Sequence, residues 1–243
     1  MLNNFGNKPL STSRIDKFIA NYLSINRKQV RLLVAQQRVV IDGDIATSVD
    51  QLINKFSVIA FDGQIIQNHS AHYLMLHKPV GVVCATKDQQ HNTVIDLINE
   101  PYKHELHIVG RLDLNTSGLV LLTNDSRWSE ALTDPKHKVE KHYRVSLANK
   151  LTAEYIDAFN DGMYFGFEDI TTQPAKLTIL DDYRAHVVLT EGKYHQIKRM
   201  FGRFRNPVVA LHRQKVGNIV LPESLASGDY RPLSQDEILR AKA

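Results

Sequence analysis

Apolar residues follow two different rhythms along this 243-residue chain. Near the start, Ile15, Phe18, Ile19, Tyr22 and Leu23 recur at helical spacing, which predicts a helix over residues 14–23 with Ser13 as its cap. A second helix is expected after Asn26, with Val30, Leu33, Val34 and Gln37 on one side and Arg27, Lys28, Arg31 and Arg38 on another. The rhythm then shortens to that of strands. RVVIDGDIA and VIAFDGQII each read as strand, tight turn, strand, because Asp42-Gly43 and Asp62-Gly63 suit turns whose central residues take positive φ.

The polar stretch QIIQNHSAH, residues 64–72, separates this first part from a longer one. We place the boundary after residue 66, giving a module over 1–66, whose first dozen residues read as a loose arm, and a second domain over 67–243. The second domain opens with HYLMLHKPVGVVCAT, broken into a turn at Lys78-Pro79-x-Gly81. Further strands are predicted at LVLLTN, HYRVSLA, PAKLTILD, RAHVVLTE and GNIVL, and helices over 93–99, 126–133, 152–160 and 194–204. Strands dominate with helices interspersed. The expected class is α+β, a mixed, mostly antiparallel sheet flanked by helices, preceded by the small module.

Composition narrows the function classes. With 43% hydrophobic and 23% charged residues the chain is ordinary for a globular protein. No apolar run approaches roughly 20 residues, so no membrane span and no membrane partner are expected. The start of the chain lacks a basic stretch leading into an apolar one, so no secretory signal is expected. The single cysteine, Cys84, rules out an intrachain disulfide and fits a reducing compartment, with the cytoplasm expected. His69 and His72, and His104 and His107, stand three apart, but no Cys pair or HExxH pattern accompanies them, so no metal is expected. No glycine-rich phosphate loop is present either. The net charge of +4 suits a polyanionic partner without requiring one. The basic face of the second helix is open to two readings, a phosphate-binding surface or a solvated exterior.

The most informative segment is HIVGRLDLNTSGLVLLTND, residues 107–125. Asp113 lies between a Gly-Arg pair and a polar turn that feeds an apolar strand. A carboxylate on a loop beside a buried strand is a common site geometry, although a lone Asp there ordinarily caps local backbone.

Two resemblances bear on this choice. The stretch RIDKFIANYLSINRKQVRLLVAQQRVVIDGDIA, with its R-x-D-K-F start, basic helices and Val39-Val40-Ile41-Asp42-Gly43 turn, resembles the small alpha-L, S-four type RNA-binding domain over residues 13–60. It implies binding of structured RNA, with Arg27, Lys28 and Arg31 as contacts. Gly110-Arg111-Leu112-Asp113-x-x-Thr116-x-Gly118-Leu119 resembles the catalytic motif of the pseudouridine synthases. Three further pieces match that family in order: Lys78-Pro79-x-Gly81, Glu140-Lys141-x-Tyr143, and the run from Glu191 through Lys198 to Phe201.

This resemblance implies a pseudouridine synthase catalytic domain that needs no cofactor. Asp113 falls on the essential aspartate, Tyr143 on the active-site tyrosine and Lys198 on the cation beside the acid. Lys198 departs from the arginine of some other branches. Ile197 is expected under the base, and Lys78 and Arg111 among substrate contacts. Arg111 would fill the space of an extruded base, or pair with a phosphate or a structural acid. Trp128-Ser129, Pro135-x-His137-x-x-Glu140-Lys141, Leu211-His212-Arg213 and the tail Gly228-Asp229-Tyr230-Arg231-Pro232-Leu233 resemble the branch acting on small-subunit RNA. The expectation is therefore a monomeric enzyme converting a uridine of 16S ribosomal RNA in a partly assembled small subunit. Action on 23S RNA, or a non-catalytic role in ribosome assembly, are the alternatives. Retention of Asp113, Tyr143 and Lys198 argues against the latter.

Overall fold

The computed structural model describes residues 12–241, so the expected N-terminal arm falls almost wholly outside the described residues. The chain forms two compact units, one ending at Ala71 and one beginning at His72.

In the first unit, Ser13–Arg14 (β1) leads into helices Ile15–Leu23 (α1) and Arg27–Ala35 (α2). Strands Val39–Ile41 (β2), Asp44–Ile45 (β3), Leu52–Ile53 (β4), Ile59–Phe61 (β5) and Gln64–Gln67 (β6) follow. The order β3-β2-β5-β6 makes an antiparallel sheet, while β1 pairs with β4. Both Asp-Gly turns have positive φ at each residue, 53° and 93° in the first and 51° and 77° in the second. Ile15, Ile19, Val30, Val39 and Ile59 are fully buried between helices and sheet.

Three local expectations change here. Ser13 does not cap α1; it belongs to β1, and the cap position is Arg14, whose side chain makes no capping bond. Asn26 does cap α2, in a reciprocal box with Gln29. Arg38 lies beyond α2, where its guanidinium bonds Asp62 and covers the Phe61 ring. The segment 64–67, read both as the second strand of the Asp62-Gly63 hairpin and as the start of the connecting stretch, is that strand. Gln67 fixes it by donating to the carbonyls of Asn54 and Ser57, so the first unit runs past residue 66.

The second unit contains strands Tyr73–Lys78 (β7), His107–Val109 (β8) and Ser117–Thr123 (β9), then helix Ser126–Thr133 (α3), capped by Asp125. Strand Lys141–Leu147 (β10), helix Glu154–Asp161 (α4), and the hairpin of Tyr164–Phe165 (β11) and Ile170–Thr171 (β12) come next. They are followed by Lys176–Asp181 (β13), Arg184–Leu189 (β14), Gln196–Gly202 (α5), Val208–Val216 (β15), Ile219–Val220 (β16), Tyr230–Pro232 (β17) and Gln235–Arg240 (α6). The central sheet runs β13-β14-β10-β15-β9-β7-β17, with β16 beside β15 and β8 beside β9. Every pairing is antiparallel except β9 with β15, as expected for a mixed, mostly antiparallel sheet.

Residues 93–99 are a chain of turns rather than a helix. The Asp96 carboxylate accepts from both the backbone N–H and the hydroxyl of Thr93, and a bridge to Val83 holds the segment. One face of the sheet packs Val145, Leu177 and Val187 against Phe159 of α4 and Met200 and Phe201 of α5. Trp128 of α3 is buried and its indole N–H donates to the Ile238 carbonyl, tying α3 to α6. Among the described residues, no helix is long and apolar enough to cross a membrane.

Candidate active site

Asp113 sits on the loop joining β8 to β9, and two buried cations tie that loop inward. Lys78, at the end of β7, is fully buried. Its Nζ donates to the carbonyls of Pro79 and Thr116, each at 2.8 Å, and to that of Leu114 at 3.4 Å. Burial pulls its pKa below the usual lysine range. Arg213, on β15, is only 1% exposed. It donates to the carbonyls of Leu119 and Gly110 at 2.8 Å and of Arg111 at 3.5 Å. Backbone on both sides of Asp113 is thus anchored. A turn bond from the Thr116 N–H to the Asp113 carbonyl, 3.1 Å, closes the loop, and the Leu112 N–H rests on the Cys84 sulfur at 3.2 Å.

Gly118 is required where β9 meets β15. Its φ is +112°, and a Cβ there would run into the Arg213 backbone.

A second closed loop delivers the basic partners. Glu191 is buried and accepts from the Gln173 N–H and the Gln196 side chain, each at 2.8 Å, while Gln196 accepts from the Lys193 N–H at 3.0 Å. His195 then takes a left-handed conformation, φ 49°, immediately before α5. Such a conformation costs on the order of 1 kcal/mol or more in a non-glycine residue, and it recurs at functional sites. It brings the His195 Nε2 to 3.4 Å from one carboxylate oxygen of Asp113. Lys198, in the first turn of α5, places its Nζ 3.2 Å from the other. The Asp113 side chain keeps 30% exposure, open to an incoming group.

These groups border a small cleft that is open to solvent. Its apolar wall is Tyr143, Leu189, Ile197 and Leu211, and Arg111 is exposed at its edge. Thr116 also borders it, with a hydroxyl that is buried and has no hydrogen-bond partner among the described residues. An aromatic ring and aliphatic side chains beside a carboxylate, an imidazole and an ammonium suit a planar base attached to a reacting sugar.

The structure therefore gathers five expected site residues, Asp113, Tyr143, Lys198, Ile197 and Arg111, around one cleft. Lys78 is a correction. Its amine is sealed from solvent and engaged by three carbonyls, so it anchors the Asp113 loop and is no substrate contact. Arg27, Lys28 and Arg31 lie on α2 of the first unit. Lys28 and Arg31 are exposed, whereas Arg27 is partly engaged by the buried Asp16 at 2.7 Å. Burial alone would raise the Asp16 pKa, but bonds from Arg27 and Arg14 hold it below the ordinary value.

Sequence reasoning missed the roles of His195, Arg213 and the Glu191–Gln196 clasp. It also missed Lys141, two residues before Tyr143 on the same strand face. That amine is buried, donates to the Val139 carbonyl at 2.9 Å, and is pushed down to about 8 by burial and by the nearby Arg213. All lie inside quoted motifs, but a motif does not say which of its polar residues are buried.

Known proteins match this arrangement closely. The model of the RNA pseudouridylate synthase family matches residues 72–202, just over half of the chain. The ribosomal small subunit pseudouridine synthase A of Pseudomonas aeruginosa is 43% identical over 226 residues, covering 93% of this chain and 98% of that protein. The protein of the same name from Haemophilus influenzae is also 43% identical, covering 93% and 97%. A crystal structure of a pseudouridylate synthase superposes with a TM-score of 0.69 at 43% identity, covering 94% of this chain and 99% of the other. Likeness of this extent, in sequence and in fold, makes this chain a member of the RNA pseudouridylate synthase family.

Proposed function

We propose that this protein converts a uridine of 16S ribosomal RNA to pseudouridine, with Asp113 as the catalytic carboxylate. One observation carries the reading: Asp113 faces an apolar, aromatic cleft with Lys198 at 3.2 Å, in a chain whose relatives bear the name of small-subunit pseudouridine synthases.

The reaction breaks the bond between C1′ of the ribose and N1 of the base. The base turns, C5 bonds to C1′, the C5 proton is lost and N1 gains one, so the product is an isomer. Cleavage builds positive charge on the sugar, which a carboxylate can meet by attack at C1′ or by taking a proton from C2′. Lys198 supplies a cation complementary to that carboxylate. Tyr143 stacks on the base and offers its hydroxyl for proton transfer, with Ile197 packed beneath. A base must leave its stack to reach such a cleft, and Arg111 at the edge holds the vacated space or a flanking phosphate. The first unit grips RNA through Lys28 and Arg31.

A base in a finished, protein-covered helix costs more to extrude than one in a loose intermediate. The substrate is accordingly a partly assembled small subunit, modified by a monomer. The experiment incubates the protein with naked 16S RNA, an assembly intermediate and finished subunits, all from cells lacking the gene. Fast modification of the intermediate alone is expected. Equal rates on intermediates and finished subunits would remove the timing, and modification confined to 23S RNA would remove the substrate.

A further inference from the structure

The face of the central sheet turned away from the cleft carries charge of one sign. Arg144 on β10 lies opposite His186 of β14 on one side and His212 of β15 on the other. The row continues to Thr178 of β13 and Ser117 of β9. Successive strand residues point to opposite faces, and Tyr143, Leu189 and Leu211 line the cleft, so this row faces the other way. A second row joins Lys176, Val188, His142 and Lys215. The His142 and His186 rings are 5.2 Å apart, which fuses the rows into one patch.

Among the described residues, two acids pair with side chains in or beside these rows. Glu140 bonds His142 at 3.0 Å, and Asp181 pairs with Arg184. Among the described residues, no ion pair engages Arg144, Lys176 or Lys215. Like charges placed opposite one another across strands are destabilising, and a solvated sheet face ordinarily mixes signs. Burial and neighbouring cationic groups, Arg144 among them, already hold the His186 and His212 pKa values down. An anion lying on the row would relieve that crowding. Strands about 4.8 Å apart make the row roughly 19 Å wide from β13 to β9, a span for several phosphates rather than one. Guanidinium and imidazole planes also donate to phosphates and stack on bases.

We propose that this face is a second RNA-binding surface, holding the phosphate backbone of a segment of the same ribosomal RNA away from the target uridine. The proposal rests on the ribosomal-RNA reading above, but its test is read by binding and does not need turnover. Arg144→Glu and Lys176→Glu are introduced into the full-length protein carrying Asp113→Asn. Affinity is measured against salt for a long 16S transcript and for a short stem-loop. For the long transcript, each reversal should cost about tenfold in affinity and lower the salt slope by about one, with little change for the stem-loop. Arg144→Gln, which removes charge without reversing it, should give the same slope change and guards against misfolding of the reversed variants. Unchanged affinity and slope on the long transcript would overturn the proposal, as would equal losses on both RNAs. A stem-loop or transcript that is bound but never modified by the parent protein would count against the proposed reaction and leave this result readable.

Discussion

Replacing Lys78 with methionine tests whether the Asp113 loop depends on a buried clamp. Methionine keeps most of the stem and removes the amine, leaving the carbonyls of Pro79, Leu114 and Thr116 without their donor. The two 2.8 Å bonds are the strong ones, and each buried carbonyl left unsatisfied costs about 1–3 kcal/mol. Relief of the desolvation of a fully buried ammonium offsets part of that. A net loss of roughly 1–3 kcal/mol is expected, or a fall of about 2–4 °C in Tm per kcal/mol for a domain of this size. The effect on rate should be larger. The loop carries Asp113, and misplacement by about 1 Å can cost on the order of 100-fold. Urea unfolding and single-turnover pseudouridine formation at saturating RNA separate the two effects. The expected result is modest destabilisation with kcat reduced at least tenfold and RNA affinity little changed. If Lys78→Met keeps the parent kcat, or loses only affinity for RNA, the clamp is wrong and Lys78 belongs among the substrate contacts.

Lys141 should behave in the opposite sense. Its pKa of about 8 in the fold lies below the ordinary lysine value, so between about 8 and 10.5 the unfolded chain holds a proton that the folded one has released, and stability rises with pH. Below that window the full penalty, roughly 3 kcal/mol, is present. Lys141→Met should therefore raise stability at neutral pH and abolish the rise, as read by urea unfolding across pH; an unchanged profile would show that the amine is not effectively buried. Lys198→Met and Tyr143→Phe should lower kcat more than they raise KM, and a pure KM defect in both would refute their roles in the transition state. Reversing Lys28 and Arg31 to glutamate should weaken RNA binding and flatten its salt dependence; an unchanged slope would mean that α2 is a solvated exterior.

The sequence was most legible where chemistry and local pattern coincide. Both Asp-Gly hairpins, the start of α2 after Asn26, and the apolar strands β7, β9 and β14 follow from spacing and turn chemistry alone. The family motifs named the residues that meet at the cleft, from Asp113 to Lys198, across 85 positions of chain. What stayed hidden depends on long-range pairing. The strand Val208–Val216 reads as polar because His212, Gln214 and Lys215 occupy it, yet it lies in the middle of the sheet. Only its neighbours reveal that Arg213 points inward while His212 points out. Residues 93–99 have helical spacing at Val94, Ile95 and Ile98, but the Thr93–Asp96 bonds turn the backbone instead. Lys78 shows the limit of a motif, which marks a residue as necessary without saying whether it touches substrate or backbone.

The central claim is that Asp113 performs the isomerisation. The most direct measurement incubates the parent protein and Asp113→Asn with an assembly intermediate of the small subunit lacking the modification, then maps pseudouridine along its 16S RNA and measures binding in parallel. The parent should introduce one pseudouridine in 16S RNA. The variant should introduce none while binding within a few-fold of the parent, because asparagine keeps the shape of the side chain and removes only its charge. Normal turnover by Asp113→Asn would contradict the account.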